Sequence, residues 1–107
     1  MNITEIEETL LRCARAQQAK GIEIVCGEWL EGPNVRITGC CALAAYGLET
    51  GTPLENVRAS LDLDSDLEAS IVSGFDGRKR QDWMREDYHA LGQRLRERLK
   101  PREARGE

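Results

Sequence analysis

A chain of 107 residues is long enough for one hydrophobic core and too short for two, and its twelve Leu, six Ile and four Val fill that core without disulfide or metal staples. A net charge of −4 excludes a general nucleic-acid-coating role, and no apolar run approaches the roughly 18 residues of a membrane span. The acidic start from Met1 to Glu8 does not read as a secretory signal, so a cytoplasmic protein with reduced, buried thiols at Cys13, Cys26, Cys40 and Cys41 is expected.

Thr4 followed by Glu7 has the form of a capping box, and Ile3, Ile6, Leu10, Cys13 and Gln17 then recur at helical spacing up to Gly21. From Ile22 to Thr38 the residues become β-branched in two clusters, Ile22, Ile24, Val25 and Val35, Ile37, Thr38. The turn-forming run Gly32-Pro33-Asn34 lies between them. This predicts one short β-hairpin with Trp29 and Leu30 near its bend.

The stretch from Gly39 to Gly51 is the organising element. It carries no charge from Cys40 to Leu48 in a chain that is 32% charged, and its small residues Ala42, Ala44, Ala45 and Gly47 admit close neighbours. A helix apolar nearly all round is a buried central helix. Thr52, Pro53 and Glu55 predict the start of the next helix, with Leu54, Val57 and Leu61 inward. Ser65 with Glu68 predicts another, with Leu67, Ile71, Val72 and Phe75 inward. Gly74 and Gly77 bracket a tight exit at Phe75-Asp76. A last helix is expected from the region Arg78 to Asp82, with the stripe Met84, Tyr88, Leu91, Leu95 and Leu99, until Pro101 stops it. The expected fold is mainly α (α+β): about five helices around a buried central helix, with one short β-hairpin. Residues 1–101 form a single domain and 102–107 a fraying tail.

The helix–hairpin–Cys-helix order, with Cys41, Ala44 and Ala45 in the central helix and Phe75-Asp76 before the last one, resembles a family of small uncharacterised proteins of phages and actinobacteria. Members of that family carry a Gly-Arg-x-Cys-x-x-Gly-Ala helix and a Trp-Asn-Asp segment. The resemblance runs over roughly residues 5–99 and implies a phage or accessory-gene setting. It implies no activity.

Several constellations bear on chemistry. Cys40 or Cys41 at a helix start, with His89 as the chain's only imidazole, is the pair a thiol enzyme would use. No third group accompanies it, and His89 sits among charged residues. Cys26, Cys40, Cys41 and His89 supply zinc-type ligands but lack the Cys-x-x-Cys knuckle. Asp62, Asp64, Asp66 and Glu68 open like a calcium loop but have Leu67 where that loop needs Gly. Neither a metal nor a cofactor is therefore expected. Arg78, Lys79 and Arg80 precede Trp83, and Arg94, Arg96, Arg98, Lys100 and Arg102 follow, a pattern that a weak nucleic-acid binder would show through its last helix.

The sequence thus points to a small non-enzymatic binding or accessory protein of phage or bacterial type, in contact with a host protein or a small anionic ligand. The expected contact residues are Trp29, Leu30, Phe75, Asp76, Arg78, Arg80 and Trp83. The alternatives are a Cys-His enzyme built on Cys40, Cys41 and His89, and the nucleic-acid binder. Nothing in the residues specifies an oligomeric state.

Overall fold

A computed structural model describes residues 1–33 and 36–104 of the chain. Among them are five helices and a small four-stranded sheet: α1 (Ile3–Ala19), β1 (Glu23–Cys26), β2 (Leu30–Glu31), β3 (Gly39–Cys40), α2 (Ala42–Thr50), α3 (Leu54–Ser60), α4 (Ser65–Phe75), α5 (Glu86–Leu99) and β4 (Arg102–Glu103). The mainly helical α+β fold is the one the sequence predicts. α2 is the central element, with Ala42, Leu43, Ala44, Ala45 and Gly47 buried against α1 and α3. The amphipathic stripe of α1 covers it with Ile6, Leu10, Cys13, Ala14 and Gln17.

Helix boundaries move from their expected places, at α1 and α4 because a different side chain takes the cap. Asn2 rather than Thr4 opens α1: its Oδ1 accepts the Glu5 N–H at 2.9 Å, and the Glu5 carboxylate accepts the Asn2 N–H at 3.1 Å. The capping box is real but begins two residues earlier. Pro53 precedes α3 with no side-chain cap, while the Thr52 hydroxyl pairs with Thr50 at 2.7 Å. Asp64 rather than Ser65 caps α4, accepting the Leu67 N–H at 2.8 Å.

The strands differ more. Residues 22–25 and 36–38 do not pair as the expected hairpin, whose Asn34 and Val35 lie outside the described residues. The antiparallel pair is instead β2 with β3, in the register Leu30↔Cys40 and Glu31↔Gly39. β1 runs parallel to β3 on one side and to β4 on the other, so the order is β2-β3-β1-β4. The burial of Ile24, Val25 and Cys26 fits this: consecutive buried residues mean that both faces of the strand are covered, as in a parallel strand inside a sheet and unlike a one-sided two-stranded ribbon. The second neighbour is the tail expected to fray. Residues 102–104 are held to β1, with the Ala104 N–H donating to the Cys26 carbonyl at 3.0 Å. Arg102 fastens this edge by ion pairs to Glu23 and Glu31.

α4 and α5 cross with their backbones almost touching. A methyl group on Gly74 would overlap the His89 carbonyl and lie 2.9 Å from the Gln93 nitrogen. One on Gly92 would overlap the Ile71 carbonyl and lie 2.8 Å from the Phe75 nitrogen. The two glycines thus serve one crossing from opposite sides, and Gly74 lies within α4 rather than in the exit turn.

Candidate ligand cleft

The carboxyl ends of the parallel strands β1 and β3 open onto a cleft of about 180 Å3. After β1 the chain passes through Gly27, Glu28 and Trp29; after β3 it enters α2 through Cys41, Ala42 and Leu43. The opposite wall is the end of α4, with Ile71, Val72 and Phe75, followed by Asp76 and Arg78. In open sheets flanked by helices, ligands collect at such strand ends. Walls of Trp29, Leu43, Ile71 and Phe75 make the interior apolar, and the charges of Glu28, Asp76 and Arg78 stand around it.

Three contacts hold the cleft in shape. The Cys41 N–H donates to the Trp29 carbonyl at 2.9 Å, tying the Trp29 loop to the start of α2. The Gly27 N–H donates to Asp76 Oδ1 at 2.9 Å, tying the same loop to the end of α4. Arg96 donates to the Phe75 carbonyl at 2.9 Å and to Cys26 Sγ at 3.3 Å, joining α5 to both. The Asp76 carboxylate therefore has a fixed position, and its second oxygen has no hydrogen-bond partner among the described residues. Arg78 and Glu28 make no side-chain hydrogen bond or ion pair among the described residues.

Cys41 is 7% exposed and acts as the cap of α2, its Sγ accepting the Ala44 N–H at 3.4 Å. Burial pushes its thiol up to about 11, opposed by the Ala44 and Leu43 amides and reinforced by the Asp76 carboxylate. Cys40, fully buried on β3, is pushed up to about 12 by burial and then by Cys41. Both are protonated at neutral pH, the opposite of an activated nucleophile. His89 forms no hydrogen bond with either. Its Nε2 bonds the Arg78 carbonyl at 2.9 Å, facing a separate open groove lined by Gly77, Arg78, Lys79, Arg80, Glu86, Ala90 and Gln93.

His89 belongs instead to a set of buried polar groups that hold the loop after α4. Ser73 Oγ donates to the Lys79 carbonyl at 3.3 Å, and Ser70 Oγ accepts the Arg85 N–H at 3.0 Å. These bonds fit a start of α5 at Glu86, later than expected: the Arg78 and Lys79 carbonyls and the Arg85 N–H are bonded by side chains of α4 and α5 rather than by helical bonds. The last-helix cations are largely used within the fold, Arg94 on Glu7 at 2.7 Å and Arg96 on Phe75 and Cys26.

Of the expected contact residues, Trp29, Phe75, Asp76 and Arg78 come together in this cleft, joined by Cys41. Leu30 lies on β2 outside it. Arg80 borders the His89 groove and donates to the Met84 carbonyl at 3.1 Å, and Trp83 stands 56% exposed on the loop. Sequence reasoning missed Gly27, Glu28, Ala42, Leu43, Ile71 and Val72 as lining residues. A glycine directly before Glu28-Trp29 was the available signal for Gly27, which the structure holds at positive φ. All four cysteines are free, and no three His, Cys, Asp or Glu among the described residues are grouped to hold a metal ion. No helix among them is long and apolar enough to cross a membrane. No family model, curated protein or solved structure matches this chain.

Proposed function

We propose that the chain is a small non-enzymatic binding protein whose working surface is the Trp29–Phe75 cleft. The observation that carries this is convergence: four residues singled out for contact chemistry, from positions 29 and 75–78, line one apolar hollow at the ends of parallel strands. Its size suits a single ring or a branched aliphatic group, since an engineered apolar cavity of about 150 Å3 takes up benzene. An apolar interior with a few placed polar groups is how small-molecule sites are built. The protonated thiols of Cys40 and Cys41, with His89 engaged elsewhere, weigh against the enzyme reading. A phage or bacterial accessory role rests on the family resemblance alone.

A neutral probe tests the cleft without prejudging charge. On titration of the 15N-labelled protein with phenethyl alcohol, the amides of Gly27, Trp29, Ala42, Leu43 and Arg78 are expected to shift together. Trp29→Ala should weaken binding about tenfold, as loss of an aromatic anchor does. Shifts centred on the His89 groove, or unchanged by Trp29→Ala, would refute the assignment.

A further inference from the structure

The charges around the cleft carry a finer reading, which rests on the assignment just made. An acid-only ligand fits poorly. Asp76 is pinned through Oδ1 to Gly27 and lies close enough to raise the Cys41 thiol, so a resident carboxylate already faces the start of α2. Glu28 adds a second negative charge at the same hollow. A ligand whose only charge is negative meets both, with Arg78 as the one cationic side chain among the lining residues and the partial positive charge of the α2 N-terminus to offset them.

A ligand bearing an ammonium meets the reverse. It finds two carboxylates without a cationic partner among the described residues, in a cleft lined by Trp29 and Phe75, aromatic rings of the kind that attract cations. Arg78 would then be left as an unmatched cation beside the bound amine, unless the same molecule also brings a carboxylate, which a guanidinium fork receives on two oxygens. The geometry points to a small zwitterion of the free amino-acid class with an apolar side chain: its ammonium between Glu28 and Asp76, its carboxylate at Arg78, and its side chain between Trp29 and Phe75.

A matched series with one body and four charge states tests this: L-phenylalanine, phenethylamine, 3-phenylpropionate and phenethyl alcohol, each titrated against the full chain by NMR or calorimetry. L-Phenylalanine should bind tightest, phenethylamine next and 3-phenylpropionate weakest. The step between zwitterion and acid should be about tenfold or more, the size of one charge-assisted hydrogen bond. Arg78→Ala should bring L-phenylalanine down to the level of phenethylamine. Asp76→Asn keeps an oxygen for the Gly27 N–H but removes the charge, so it should weaken both amines and strengthen 3-phenylpropionate. If 3-phenylpropionate equals or exceeds L-phenylalanine, or the order survives both substitutions, the zwitterion assignment is overturned while the cleft stands. If none of the four shifts the cleft amides, the binding site itself is wrong.

Discussion

The α4–α5 crossing and the four-stranded sheet are joined by different means. At the crossing, Gly74 and Gly92 remove side chains so that two backbones approach, and cohesion is close packing over two helices. The sheet has three strands of only two residues, and it leans on side-chain clamps: Arg102 of β4 to Glu23 of the neighbouring β1 and across the sheet to Glu31 of β2, and Asp76 to Gly27 beyond the end of β1. Glu31 most, and then Glu23, hold the Arg102 pKa above the ordinary arginine value. Packing that depends on backbone proximity tolerates no added atom, whereas a clamp of separate bonds loses stability one bond at a time. The candidate cleft lies where the two regimes meet, with α4 as its firm wall and the Trp29 loop as its clamped one.

The largest effect should come from breaking the crossing. Gly74→Ala or Gly92→Ala should destabilise by about 1–3 kcal/mol or more through overpacking, even though Ala in a helix interior is favoured over Gly by about 1 kcal/mol. A denaturant midpoint that is unchanged or raised would mean the helices do not meet as described.

Alkaline titration probes the seam on the sheet side. The Cys40 and Cys41 thiols, raised from an ordinary value of 9.0 to about 12 and about 11, stay protonated in the folded chain while the unfolded chain ionises them first. The unfolded state then binds fewer protons, so their contribution to stability is full below pH 9 and is lost as pH rises toward 11–12. The melting temperature should fall over that range, and less steeply in the Cys40→Ala, Cys41→Ala double variant. Equal slopes would show that burial does not hold the thiols protonated.

The smallest change concerns the joint between the two regions. Asp76→Ala removes the acceptor for the Gly27 N–H and should cost about 1 kcal/mol, with faster hydrogen exchange at Gly27. Asp76→Asn should leave that amide protected. Exchange at Gly27 unaffected by either substitution would place its bond elsewhere.

Much of this fold is legible in the residues. The stripe Ile6, Leu10, Cys13 and Gln17, the uncharged run through Ala45 and the spacing of Leu91, Leu95 and Leu99 each reflect a local helical period, and each is buried as read. The errors fall where partners are distant in sequence. Nothing in Arg102-Glu103 marks it as a strand, because its pairing depends on β1, in the register Val25↔Arg102 and Cys26↔Glu103, far earlier in the chain. Nothing local separates a histidine that holds the Arg78 carbonyl from one that serves a thiol. Individual cleft residues were visible, Trp29 and Phe75-Asp76 as exposed-prone aromatic and turn features. Their assembly with Cys41 was not, since the cysteine drew attention for nucleophilicity that its burial removes.

The amino-acid order alone determined the elements and the buried helix, because helical periodicity and charge avoidance are properties of neighbouring residues. The tertiary structure alone decided the strand order, the glycine-to-backbone crossing and the meeting of Glu28, Asp76 and Arg78 around one hollow. Those depend on which surfaces exclude water against each other, and no short-range pattern encodes that choice.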